Sequence, residues 1–183
     1  DAAFKTVLLD RHTHRPVVPN GSMGFRYNEQ DEGRWNLDLG DTLPALSVAD
    51  SAGYEGGVST VELPAFTDPT GVGSVIHRGV PTTTVAGRTV TTVFDIMLAQ
   101  YGVGRDGLPG EWSAGLDDAA TPYTPAWQEE VTSVPAEAVI RTAREFAANA
   151  EKSHGRSMII LGAGICQWYH GDTTYRAILA MLM

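Results

Sequence analysis

Ser157-Met158-Ile159-Ile160-Leu161, followed by Gly162-Ala163-Gly164 and Ile165-Cys166-Gln167-Trp168-Tyr169-His170, is the stretch on which the fold assignment turns. A continuous apolar run of this length, bounded by glycines, is the pattern of a strand buried on both faces, as in parallel sheets. Immediately upstream, Val139, Ala143, Phe146, Ala147 and Ala150 recur at helical spacing behind Ser133 and Pro135, which predicts an amphipathic helix. Glu137 near its start and Lys152 near its end suit the helix dipole. Downstream, Tyr175, Ile178, Leu179 and Leu182 share one face of a second helix, with Asp172 or Thr173 expected as its N-cap. Helix, buried strand, Gly-rich loop and helix together predict the α/β class, as one unit of a parallel sheet.

The remainder of the chain reads differently. Residues 4–9 form a strand candidate, 10–16 a polar turn, and 17–27 a segment interrupted by Pro19-Asn20-Gly21-Ser22, where a tight turn is expected. Residues 38–88 are rich in Gly, Pro, Thr and Asp, with β-branched residues between them, and read as strands and long loops. Residues 89–93 lead as a strand or approach into helix formers at 94–101, stopped by Gly102. Thr124-Pro125-Ala126-Trp127 starts a short helix, with Thr as cap and Pro in the first turn. We therefore expect a β-rich, loop-rich segment over 1–118, and an α/β segment over 119–183 that faces a ligand and ends within its last helix.

Composition limits the functions open to such a chain. It has 183 residues and 43% hydrophobic content, enough for one or two cores. Lys plus Arg number 13 against 22 Asp plus Glu, a net charge of −9, which disfavours nucleic acid and anionic lipid surfaces as partners. Cys166 is the only cysteine. It excludes an internal disulfide and by itself completes neither an iron–sulfur nor a structural zinc site. No apolar run reaches the ~18 residues of a membrane span. The first residues lack a signal peptide's layout, and the last helix stops at Met183 inside its apolar stripe. We read this as a piece of a larger protein, marginally folded alone and inactive alone.

In open α/β sheets, ligands bind beyond the carboxyl ends of strands, where glycine lets a phosphate or ring approach the backbone. Gly162, Ala163 and Gly164 occupy that position, although Gln167 stands where a dinucleotide fingerprint has its third Gly. A ligand loop and a tight packing turn are both open readings. In Gln167-Trp168-Tyr169-His170, Gln167 can hydrogen-bond a heterocycle edge and His170 can donate a hydrogen bond or proton to an anion. The bland alternative is a core aromatic pair beside a structural histidine. His12 and His14 with Asp10 are metal-ligand types, set against the commoner reading of a solvated loop. His77 is isolated, His154 reads as a helix-end or solvent residue, and Cys166 as a small packed loop residue. A free-standing α/β nucleotide-binding or interaction module is the alternative from a different class.

Several segments resemble the central region of the catalytic subunit of respiratory nitrate reductases, a branch of the molybdopterin oxidoreductases. They are Thr124-Pro125-Ala126-Trp127, Ala143-Arg144-Glu145-Phe146-Ala147, His154-Gly155-Arg156-Ser157-Met158-Ile159-Ile160, Gly162-Ala163-Gly164, Trp168-Tyr169-His170 and Tyr175-Arg176. Pro19-Asn20-Gly21-Ser22, Gly24-Phe25-Arg26, Trp35-Asn36-Leu37, Val90-Thr91-Thr92-Val93, Asp95, Leu98-Ala99 and Tyr101-Gly102 resemble it in the same order. The resemblance is dense over 122–183, patchy over 17–37 and 89–107, and thin over 40–88.

The resemblance implies a molybdenum bis-molybdopterin guanine dinucleotide cofactor, with a 4Fe-4S cluster elsewhere in the full subunit. It also implies electron supply from quinol through an iron–sulfur beta subunit and a haem b membrane gamma subunit, at the cytoplasmic face of the cell membrane. It implies anaerobic nitrate respiration, reducing nitrate to nitrite. Gly162, Ala163, Gly164, Gln167, Trp168 and Tyr169 would be cofactor-binding, and His170 catalytic, while no metal ligand is assigned to this chain. The family carries Asn-His where this chain has Cys166-Gln167. Chlorate and selenate reductases are relatives, and form a second alternative for the oxyanion.

Overall fold

The computed structural model describes residues 7–18, 39–65 and 74–181, in two compact units, Asp1–Ser113 and Ala114–Met183. The architecture is mixed α and β with small sheets, and every strand pairing among the described residues is antiparallel. The turn expected at 19–22 and the resembling segments at 24–26 and 35–37 lie outside the described residues.

The first unit is organised by a three-stranded sheet of β3 (Gly57–Ala65), β4 (Ser74–Val85) and β5 (Arg88–Val90), in that order. β3 runs antiparallel to β4 from Gly57 opposite Thr82 to Ala65 opposite Ser74. β4 then returns through Ala86 and Gly87, both at positive φ, into β5. Two left-handed residues in a two-residue connection match the twist of the flanking strands. Side chains alternate across the pleat, so Ile76, Arg78, Val80 and Thr82 of β4 are buried while Val75 and His77 are exposed. Leu63, Val80 and Ala99 make the core, with Val61 and Trp112 packed on it. Ala99 comes from α1 (Val93–Gln100), which Thr92 caps by accepting from the Asp95 amide. Gly102, at φ +77, follows its end.

Residues 109–111 close one edge of β4, where the Gly79 amide donates to Pro109 O at 2.6 Å and the Glu111 amide to His77 O at 3.2 Å. A Cβ at Gly79 would lie 2.6 Å from Pro109 Cδ, so only glycine admits this close approach.

The polar segment at 10–16 is a turn, joining β1 (Leu8–Leu9) and β2 (Pro16–Val17). It is not merely solvated. The Asp10 carboxylate accepts from the Thr13 amide and hydroxyl and from the Leu43 amide at 3.1 Å. The Thr13 hydroxyl is the chief influence holding Asp10 below the usual carboxylate range. His14 bridges, with Nδ1 2.9 Å from Ser51 Oγ and Nε2 2.6 Å from Thr83 Oγ1. Asp10 and His14 therefore serve different hydrogen-bonding partners and do not converge as ligands.

The second unit contains α2 (Pro125–Thr132), α3 (Ala136–Lys152) and α4 (Gly171–Met181). Thr124 caps α2, accepting from the Trp127 amide at 3.1 Å and donating to Asp118 O at 2.6 Å. Replacing Thr124 with Ala removes these bonds, and a longer one to Thr121 O at 3.2 Å, at a buried position. A loss of about 1–2 kcal/mol is expected, read as a lower urea midpoint at unchanged slope.

The buried parallel strand expected at 157–161 is not formed: the segment has no strand pairing, and Met158 and Ile160 are 76% and 85% exposed. The physical reason is topological. A parallel strand has no hairpin partner and needs neighbours from distant sequence, and no described residue of this chain supplies one. The helical stripes are likewise incompletely covered. Val139, Phe146 and Ala150 of α3 are half-buried, Ala143 and Ala147 exposed, and Leu179 of α4 is 60% exposed.

Candidate functional site

The candidate site is assembled by the chain leaving α3. Ser157 fastens the exit, donating from Oγ to Phe146 O at 2.9 Å and accepting from Asn149 Nδ2 at 2.9 Å. His154 and Gly155, both at positive φ, turn the chain between these points. The extended residues 157–161 lead to Gly162, whose φ of −108° and ψ of 171° continue the extended path. The Gly-rich loop then tightens into a 3-10 turn, Ala163–Gln167. Gly162, Ala163 and Gly164 are all exposed, and a Cβ built on either glycine meets nothing within 4 Å. Their backbone is open to a ligand's approach.

Trp168 and Tyr169 follow at 79% and 90% exposure. They are not core aromatics of this unit. The Tyr169 ring stands edge-on to the His170 imidazole, with centroids 4.2 Å apart and planes at 64°. His170 takes φ +65°, an uncommon backbone conformation for a side chain with a Cβ. Its carbonyl accepts from the Thr174 amide at 3.1 Å and the Thr174 hydroxyl at 3.3 Å. α4 accordingly begins at Gly171, ahead of the expected cap, and Asp172 lies in the first turn, near the positive end of the helix dipole. Gly171 is required by packing: a Cβ there would sit 2.4 Å from Ile165 O.

Hydrogen bonds from Tyr175 and Cys166 draw the loop together. The Tyr175 hydroxyl donates to Gly162 O at 3.1 Å, and the Cys166 thiol donates to the Tyr175 oxygen at 3.4 Å. The thiol hydrogen bond is the main cause of a phenol pKa raised above its ordinary value. The apolar-stripe reading of 173–183 counted Tyr175 as a packing residue and missed this role. Periodicity registers the ring, not the hydroxyl.

The chemistry available here is that of an exposed ribbon: open glycine backbone, the Gln167 amide, two aromatic faces and an imidazole. These fit a flat heterocycle with polar edges, which stacks on aromatic rings and approaches bare backbone. They do not make a metal-ligand set, and among the described residues no three His, Cys, Asp or Glu side chains cluster as one. No helix of the described residues is long and apolar enough to cross a membrane.

No family model and no solved structure matches the chain. Curated relatives do. It is 54% identical, over 100% of its length, to the nitrate reductase alpha subunit of Mycobacterium tuberculosis (strain CDC 1551 / Oshkosh), of which it spans 15%. It is 44% identical over 98% of its length to the respiratory nitrate reductase 2 alpha chain of Escherichia coli (strain K12), and 41% identical over 98% to the nitrate reductase alpha chain of Bacillus subtilis (strain 168). It spans 15% of each of these as well. Identity at this level across essentially the whole chain, in proteins of one name, shows that the chain belongs to the nitrate reductase alpha-subunit family, of whose members it represents about 15% of the length.

Proposed function

We propose that this chain is part of the catalytic subunit of a respiratory nitrate reductase, and that residues 162–170 face its molybdopterin cofactor. Identity of 54% and 44% to nitrate reductase alpha chains, over 100% and 98% of this chain and 15% of theirs, carries the reading. The open backbone at Gly162 and Gly164, beside exposed Trp168 and Tyr169, supports the placement. The parent, in this reading, holds molybdenum on two molybdopterin guanine dinucleotides and a 4Fe-4S cluster, with ligands outside this chain. It draws electrons from quinol through iron–sulfur and haem b partner subunits at the cytoplasmic membrane face. There the 157–161 segment takes its place in a parallel sheet completed by other parts of the polypeptide, within the 119–183 segment, while 1–118 is the β-rich portion.

When bound, the cofactor would supply the two electrons for removing one oxygen from nitrate. Nitrate, two electrons and two protons give nitrite and water. The residues of this chain bind and orient. Gly162, Ala163 and Gly164 present amide backbone to the pterin system, Gln167 hydrogen-bonds a ring edge, and Trp168 and Tyr169 cover an aromatic face and exclude water. His170 donates from its imidazole to a nitrate oxygen or to the oxygen being protonated, with its direction constrained by the Tyr169 ring and the left-handed backbone.

Replacing His170 with Ala in the full-length, cofactor-loaded subunit is expected to lower kcat by about 10²–10⁴-fold, the usual worth of a positioned proton donor. Bound pterin should stay unchanged. Wild-type turnover in that variant would remove His170 from the mechanism.

A further inference from the structure

We infer that Tyr175 is the positioning residue of the cofactor-facing loop, acting through Gly162 and Cys166, an inference that rests on the reading of residues 162–170 given above. Gly162 lies just before the 3-10 turn and Cys166 within its last residues. One phenol oxygen engages both, donating to the Gly162 carbonyl at 3.1 Å and accepting from the Cys166 thiol at 3.4 Å. The segment between them carries Ala163 and Gly164, and the segment directly beyond it carries Gln167, Trp168, Tyr169 and His170. The tyrosine therefore spans the turn at its base, from the start of the second turn of α4, and leaves the outer side of the loop open.

Besides the close packing of Gly171 on Ile165 and Cys166, the described residues leave the outer side of the loop uncovered. Added Cβ atoms at Gly162 and Gly164 touch nothing, and Trp168 and Tyr169 are exposed. Besides the bonds within the 3-10 turn itself, Trp168 N donates to Ile165 O at 3.4 Å and Gly171 N to Trp168 O at 2.9 Å, both local to the turn. The Tyr175 bonds instead link the loop to a helix nine to thirteen residues further on. The raised phenol pKa agrees with a hydroxyl held in its neutral, proton-donating form. Tyr175 touches no substrate in this scheme. It sets the shape of the backbone against which the pterin is laid, a preorganising role in which small displacements carry large kinetic effects.

The test uses the full-length subunit loaded with its cofactor, and two variants, Tyr175→Phe and Gly164→Leu. Tyr175→Phe keeps the ring and deletes both hydrogen bonds. Backbone amide exchange over 162–171, release of bound pterin, and kcat and KM for nitrate per bound pterin are measured, with exchange across α3 as the check that the unit remains folded. For Tyr175→Phe, exchange in the loop and the rate of pterin release should each rise roughly tenfold, the factor of one to two hydrogen bonds. kcat per bound pterin should fall by a similar factor, with KM changed less than about twofold, because no nitrate contact is removed. Gly164→Leu fills the open space and should lose pterin outright. If Gly164→Leu loses pterin while Tyr175→Phe matches wild type in exchange, release and kcat, the tether is refuted alone. If Gly164→Leu retains pterin as wild type does, the cofactor-facing reading fails and the inference with it. Faster loop exchange in Tyr175→Phe with unchanged pterin release and kcat also overturns the positioning role.

Discussion

Replacing Asp95 with Ala is expected to destabilise the Asp1–Ser113 unit by about 3–5 kcal/mol, the cost of breaking a buried ion pair from one side. Asp95 is fully buried on α1, yet it is saturated with donors. Its carboxylate accepts from Ser47 Oγ at 2.7 Å, Val48 N at 3.0 Å, Thr92 Oγ1 at 2.8 Å and Arg105 Nη1 at 2.6 Å. Removing it leaves the Arg105 guanidinium with the Ser47 hydroxyl at 3.3 Å and an Nε that lacks a partner among the described residues, and leaves the cap and the Val48 turn without their acceptor. Such a loss is a large fraction of a typical domain's stability.

The same group predicts a pH dependence. Burial pushes the Asp95 carboxyl up, but the bonds from Ser47, Arg105, the Val48 amide and Thr92 together outweigh it and hold the pKa below its ordinary value. A depressed folded pKa means that the unfolded chain binds the proton more tightly. The stabilisation is therefore complete above the unfolded aspartate value of about 4, and is lost as pH falls through the folded pKa. In urea titrations, Asp95→Asn should lie furthest below wild type above about pH 5, and the two should converge as pH falls through the depressed folded pKa. A constant gap across that range would contradict the role given to the carboxylate charge.

Arg78→Met should cost about 3–5 kcal/mol, because it withdraws a charged donor from several carbonyls at once. Arg78 is 1% exposed. Its Nε donates to Glu111 O at 2.8 Å, and its Nη1 to Ala99 O at 2.6 Å and Gln100 O at 3.1 Å. The latter two carbonyls close the C-terminus of α1, the negative end of its dipole. The guanidinium carbon also lies 5.3 Å from the Trp112 ring centroid, at cation–π distance. Methionine fills the stem's volume and makes none of these bonds. Arg78→Lys should recover part of the loss, since one ammonium reaches fewer of the acceptors that the planar fork spans. Urea unfolding separates the three proteins by midpoint. Equal midpoints for wild type and Arg78→Met would show that the bonds contribute nothing net.

The helices and the antiparallel strands were differently legible in the amino-acid order. α2 and α3 announce themselves through Thr124-Pro125 and the stripe from Val139 to Ala150, because helix caps and a 3.6-residue period are local signals. The 57–85 hairpin reads only as β-branched loop-rich sequence, and its nine-residue register from Gly57–Thr82 to Ala65–Ser74 depends on pairing across a long connection. Arg78 in the core and His14 between Ser51 and Thr83 could not be foreseen, because a buried polar residue is defined by partners far along the chain.

Sequence alone determined the family, because ordered matches such as Ala143-Arg144-Glu145 and Trp168-Tyr169-His170 survive without reference to coordinates. It also determined which helices form. Tertiary structure decided the rest: that 157–161 stands unpaired with Met158 and Ile160 exposed, that the glycine loop coils into a 3-10 turn, and that the Tyr175 hydroxyl binds both of its ends. Helical periodicity is written in residues three and four apart. A strand pairing or a tether is written in residues that meet only when the chain has folded.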